Sequence, residues 1–230
     1  MNNSERFDGF LICSGNSKKQ INQFKRMFAK DNLTKVKKAD RNLQLRKLRK
    51  DGTLYALDVY YQKEQVGHFG VRMIEPQKMS EKAFGEANKQ AEQMFREESV
   101  YGIKDFYGLD RVNNSLFGGF GSFEPYPTVT SKAAALWYKI ASNQFFNNGN
   151  KRTAMLSAIY FLAGNFYTFD VVDANSLYDI SLRIANNEWN QKQVENFINA
   201  HVSLSYTNMS DALKYGEFSY SQSLIYQNTQ

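Results

Sequence analysis

Between Ala141 and Leu162 the chain reads ASNQFFNNGNKRTAMLSAIYFL, a polar stretch containing one glycine that opens directly onto an apolar helical pattern. Asn147, Asn148, Gly149, Asn150, Lys151 and Arg152 gather small polar side chains and two cations at the point where that helix must begin. A helix start leaves backbone N–H groups without intrahelical acceptors and carries the positive end of the helix dipole, so it favours an anion such as phosphate. Lys151 and Arg152 add full positive charges. Taken as local structure alone, the same Asn-Gly-Asn is a turn followed by a capped helix.

The flanking sequence predicts elements that hold this loop. Ala133, Ala134, Leu136, Trp137, Ile140 and Ala141 form an almost wholly apolar helix started by Thr130 or Ser131, which places it in a core. After the loop, Ala154, Met155, Ala158, Ile159 and Leu162 continue the helix until Gly164-Asn165 stops it. Upstream, Ser80 caps a helix whose stripe is Ala83, Phe84, Ala87, Ala91, Met94 and Phe95. Tyr101 to Pro127 shows no helical period and is expected to be irregular, with a short hairpin around Phe117 to Phe123. A further helix is expected over Ala174 to Ala185, and Asn190 with Gln193 reads as a capping box for a last one reaching about Val202.

Residues 1–76 have a different character. Phe7 to Cys13 reads as a strand ended by Ser14-Gly15-Asn16, and Ile21, Phe24 and Phe28 mark an amphipathic helix. Leu43 to Lys50 is followed by the hairpin signal Asp51-Gly52, then by Tyr55, Leu57, Val59 and Tyr61 at the period of a half-buried strand. A turn at Lys63-Glu64-Gln65 leads to a last strand, Val66 to Ile74, with Phe69, Val71 and Met73 on one face and His68 on the other. The order β-α-β-β-β predicts a small antiparallel α+β domain over 1–76, a mainly helical domain over 77–203 and a polar tail over 204–230.

Charge is unevenly distributed. Residues 18–50 hold thirteen Lys or Arg against Asp31 and Asp40, an excess of +11 in a chain of net charge +6, so the remainder is net negative. Such a block points to nucleic acid or an acidic partner, and the neighbouring Arg46, Lys47, Arg49, Lys50, Tyr55, Tyr60 and Tyr61 have the composition of a single-strand-binding sheet. No run of 18 apolar residues and no secretory leader pattern occurs, so a soluble, cytoplasmic protein with no membrane partner is expected. One cysteine cannot form an internal disulfide, and Cys13 lies in the apolar run Phe10-Leu11-Ile12, where a buried inert thiol is expected. Two histidines with that cysteine cannot build a structural zinc site, and no metal-ligand set is assigned.

Residues 78–203 resemble the Fic/Doc family, whose shared unit is the Fido domain, and in particular its Doc-like members. The resemblance is carried by Asn150-Lys151-Arg152-Thr153-Ala154 behind an aromatic-rich loop. It extends in order through Tyr101 to Asp105, Phe117-Gly118-Gly119, Tyr126-Pro127-Thr128 and Lys132 to Leu136. It implies a mainly α-helical domain with a short β-hairpin flap and a loop that holds nucleotide phosphates. AMP transfer to a protein hydroxyl is the common family reaction, and Doc-type members transfer the terminal phosphate. By this resemblance Gly149, Asn150, Lys151 and Arg152 are the phosphate-binding residues and Phe146 anchors the loop. Gln144 stands where the family has its general-base histidine, and Asn148 where it has the acid that holds Mg²⁺. A glutamine cannot accept and hold a proton near neutral pH. An asparagine offers a hard cation one neutral oxygen. The expected ligand is therefore ATP or another nucleotide, with weakened Mg²⁺ binding.

Lys151 replaces the glycine usual in AMP-transferring members, the Doc-like arrangement, whereas the second arginine of those members is here Met155. The family's inhibitory helix, with Ser or Thr four residues before a Glu, has no counterpart around any Glu of the chain. Three readings stand side by side: a nucleotide-binding or regulatory module without ordinary transferase activity, with a protein target or inhibitor protein as partner; an active Doc/Fic-type toxin or transferase with its base supplied by another group; and a nucleic-acid-binding protein acting through its basic N-terminal part.

Overall fold

The computed structural model describes residues 6–94, 100–119, 123–170 and 173–215. The described chain divides into two compact units, one of residues 6–76 with 203–215 and one of residues 77–202. Helical and strand elements are mixed across the two.

The first unit is built on β1 (Gly9–Ser14), α1 (Lys18–Asn32), β2 (Arg41–Lys47), β3 (Leu54–Tyr61) and β4 (Glu64–Ile74). The sheet order is β1-β4-β3-β2. Strands β2, β3 and β4 are antiparallel neighbours, with Leu45 opposite Leu57 and Leu57 opposite Phe69. The sheet is mixed where a wholly antiparallel one was expected, because β1 joins parallel to β4 with Leu11 opposite Val71. The crossover helix between β1 and β2 is what permits that parallel placement. Ser17 Oγ caps α1 by accepting from Gln20 N at 3.1 Å, and the helix buries Phe24, Met27 and Phe28. Phe28 meets Phe69 edge-on at 5.6 Å, which fixes the helix-covered face of the sheet. The β3–β4 turn falls at Gln62 and Lys63, both with positive φ, one residue earlier than the expected Lys63-Glu64-Gln65. On the opposite face His68 Nδ1 lies 2.6 Å from Asp58 Oδ1 and its ring stacks on Phe7 at 4.7 Å.

Residues 206–215, which the sequence places in a polar tail, form α8 (Tyr206–Tyr215) and complete this unit. Met209 is buried and its Sδ accepts from Ile12 N at 3.5 Å, while Leu204 N donates to Asp31 Oδ2 at 2.9 Å. A single well-buried methionine and two polar ties seat a short helix whose overall polarity conceals it from a composition reading. The rest of that tail, 216–230, lies outside the described residues.

The second unit comprises α2 (Glu81–Met94), α3 (Phe106–Ser115), α4 (Val129–Ala141), α5 (Asn150–Gly164), the short β5 (Tyr167–Phe169), α6 (Ala174–Ala185) and α7 (Gln191–His201). Helix α5 is the axis: α2, α4 and α6 pack along it, and every residue of it except Lys151 is buried. Helix α4 starts at a capping box between Thr128 and Ser131, earlier than Thr130, and α7 at the expected box between Asn190 and Gln193. Helix α3 occupies the stretch expected to be irregular. Asp105 Oδ1 caps it by accepting from Gly108 N at 2.8 Å, and Leu109 and Leu116 are fully buried. Its internal glycine hides the helix in the sequence, yet Gly108 is needed: a Cβ there would lie 2.6 Å from the Phe145 ring and 2.2 Å from the capping carboxylate. Of the expected hairpin, residues 120–122 lie outside the described residues; Gly119 and Phe123 on either side approach closely, a Cβ on Gly119 being 2.8 Å from Phe123 O. Phe95 of the predicted α2 stripe is likewise outside them.

Trp137 is completely buried, donates Nε1–H to Ser181 Oγ at 2.8 Å and meets Phe169 and Phe197 edge-on. Trp137→Ala is expected to lower the unfolding free energy by about 3–5 kcal/mol, read from urea melts with Trp137→Phe as a milder companion. In the first unit Cys13 is 1% exposed and burial pushes its thiol up to about 12. A raised thiol pKa keeps the neutral form present through pH 8. Its reaction with an aromatic disulfide reagent at that pH should be slower in the native chain than in urea by more than about a hundredfold.

Candidate functional site

The loop from Ser142 to Gly149 joins α4 to α5, and its shape follows from which side chains it buries. Phe145 and Phe146 point into the core, whereas Gln144 and Asn147 are exposed and Asn148 is half-buried. Segment 101–105 runs against it like a single strand. Phe145 O accepts from Lys104 N at 2.8 Å and Asp105 N at 3.0 Å, Asn147 N donates to Gly102 O at 3.0 Å, and Ile103 bridges to Phe146. Gly149 caps α5 in a left-handed conformation, φ +72°, which favours glycine. A Cβ there would also meet the Tyr101 ring at 2.7 Å. The Tyr101 hydroxyl is buried without a hydrogen-bond partner among the described residues.

Asn150 is the clamp of the loop. Its Oδ1 accepts from Phe146 N at 2.9 Å, and its Nδ2 donates to Phe146 O at 2.8 Å and to Gln144 Oε1 at 2.9 Å. A second asparagine, Asn88 of α2, supports it from outside. Asn88 Nδ2 donates to Asn148 O at 3.0 Å and Thr153 Oγ1 at 2.9 Å, and its Oδ1 accepts from Gly102 N at 2.7 Å. Asn88 thus ties α2, the loop, α5 and segment 101–105 together. Sequence reasoning missed it. The available signal was a polar residue four after Phe84 and three before Ala91, on a buried stripe where an amide must find partners.

The six residues singled out in the sequence take different positions. Gln144, Asn148, Gly149, Asn150 and Lys151 meet on this loop and the first turn of α5. Arg152 turns inward: it is 6% exposed and its Nη1 donates to Ala91 O at 3.2 Å, in the last turn of α2, where carbonyls lack intrahelical donors. The intrahelical ladder begins with Thr153 N to Gly149 O at 2.8 Å, so the N–H groups of Asn150 and Lys151 precede it. Asn148 Oδ1 already accepts from Gly149 N at 2.7 Å. One neutral oxygen so engaged does not fit a Mg²⁺ site, and no cluster of three His, Cys, Asp or Glu able to hold a metal occurs among the described residues.

The basic stretch of the first unit does not gather on one face with its aromatic neighbours. Strand alternation puts Tyr55 and Tyr61 on the α1 side and Tyr60 with Arg46 on the other, and Arg41 Nη1 is engaged with Ala29 O and Leu33 O at the end of α1. No helix among the described residues is long and apolar enough to cross a membrane.

Asn150→Ala leaves the Phe146 N–H and C=O without their side-chain partner. A loss of about 1–3 kcal/mol is expected in denaturant unfolding, and Asn150→Asp, which sets a buried carboxylate oxygen against Phe146 O and Gln144 Oε1, should lose at least as much.

Residues 77–162, from the start of the second unit to the last turn of α5, match the model described as Fic/DOC family. No curated protein matches the chain. The likeness to the Fic/DOC family thus rests on the segment that forms α2, α3, α4, the asparagine-clamped loop and most of α5.

Proposed function

We propose that the Fic/DOC domain of this chain binds the phosphates of a nucleotide, ATP foremost, at the loop 144–152, and acts as a nucleotide-dependent binding or regulatory module with no general base of its own. The observation that carries this reading is the chemistry at two positions. Gln144 has an amide where proton abstraction needs a titratable group. Asn148 has a neutral oxygen, already hydrogen-bonded to Gly149 N, where a hard cation needs charge. Loss of a positioned base alone costs roughly a hundred- to ten-thousand-fold in rate. What remains serves anion binding: a helix start, Lys151 as the one residue of α5 that is not buried, and a rigid loop. Lys151 also aligns the loop with the Doc-type arrangement, so any residual transfer would move the terminal phosphate rather than AMP. A protein target or inhibitor protein is the partner this reading calls for.

ATP labelled at the α or at the γ position is incubated with the full chain and a bacterial or eukaryotic lysate, alongside calorimetry with unlabelled ATP. Binding with neither label incorporated above the level of the same lysate without the chain is the expected result. Incorporation of the γ label would make the chain an active phosphotransferase and of the α label an adenylyltransferase, and either overturns the regulatory reading. The double variant Gln144→His with Asn148→Asp should gain transfer if these two groups are all that is missing.

A further inference from the structure

Resting on the phosphate-binding reading above, we infer that Gln144 is itself a ligand of the bound phosphates, presenting its two amide N–H groups to them, so that position 144 has exchanged a base for an anion-binding donor. The orientation of a carboxamide is normally ambiguous, because its oxygen and nitrogen look alike. Here the backbone removes the ambiguity. Phe146 N can only donate and Phe146 O can only accept, so Asn150 must face them with Oδ1 and Nδ2 respectively. Asn150 Nδ2 therefore approaches Gln144 as a donor, and the Gln144 atom that meets it at 2.9 Å must be the oxygen, Oε1. The nitrogen is left on the exposed side of the side chain, without a partner among the described residues.

The same bias runs through the loop. The amide oxygens of Gln144, Asn148 and Asn150 accept from Asn150 Nδ2, Gly149 N and Phe146 N in turn. Three acceptors that would repel an anion are occupied internally, and the groups of residues 144 and 151 that remain available are the Gln144 amide and the Lys151 ammonium, both donors. A rim of donors selects oxyanions, and a hydrogen bond to a charged oxygen is about twice as strong as one between neutral groups.

The test compares the full wild-type chain with Gln144→Met, which keeps length and neutrality but removes both N–H groups, in calorimetric titrations with ATP and with inorganic tripolyphosphate. Gln144 is exposed, and equal melting temperatures of the two chains will establish that only the site has changed. The expected result is affinity weakened about tenfold for both ligands, the equivalent of one charge-assisted hydrogen bond. In parallel, the side-chain amide resonances of Gln144, assigned by their absence from the variant, should shift on adding either ligand. Weakening for ATP alone would mean that Gln144 touches the nucleoside, and overturns the inference. Unchanged affinity for both, with wild type binding, overturns it while leaving the phosphate-binding function standing. A wild-type chain that binds neither ligand overturns that function and this inference together.

Discussion

The second unit depends on burying α5 completely. A helix covered along its length contributes through every apolar side chain, about 1.5–3 kcal/mol for each large one, and the loop and turn that bound it must satisfy their buried backbone groups from within the chain. Both are closed by asparagines. At the C-terminal end Asn165 Nδ2 donates to Phe161 O at 2.8 Å, and its two amide atoms also clamp the Gln77 backbone at 2.8 and 3.0 Å. At the N-terminal end Asn150 and Asn88 perform the corresponding task for the loop. A carboxamide suits these places because it supplies donor and acceptor in one neutral group, so backbone N–H and C=O are both satisfied without burying a charge.

The chemistry of the loop follows from that structural need. Asn150 has to face Phe146 in one sense, and in doing so it fixes the sense of Gln144. Asn148 caps the tight turn at Gly149 with its own oxygen. The hydrogen bonds that hold the loop therefore also fix which way its amide groups face. Arg152 shows the other side of the same economy: packed under α2, it contributes to the closure of that helix.

The first unit obeys a different constraint. A four-stranded sheet with one helix has exposed edges, and β1 is flanked by α8, which comes from beyond the second unit in sequence. The second unit is in effect inserted between β4 and α8. The sheet thus needs residues more than 130 positions apart, since Met209 reaches Ile12 with a separation of 197.

Local chemistry made much of this readable in the sequence. Helix starts at Ser17, Ser80 and Asn190, the hairpin glycine at Gly52, the alternation of β3 and the apolar faces of α4 and α5 depend on neighbours within a few residues, and those interactions are written in the chain itself. The loop 144–152 and its kinship were legible for the same reason, being matters of residue type. Three things were decided only by tertiary structure. Helix α3 is held by the burial of Leu109 and Leu116, with Gly108 leaving room for the distant Phe145 ring; β1 runs parallel to β4 because α1 carries the chain across; and Asn88 acts on a loop sixty residues away. The direction in which Gln144 and Arg152 point belongs with these. A side chain's identity fixes which hydrogen bonds it can make, but only the packed neighbours, Phe146 for one and Ala91 for the other, fix which of them it does make.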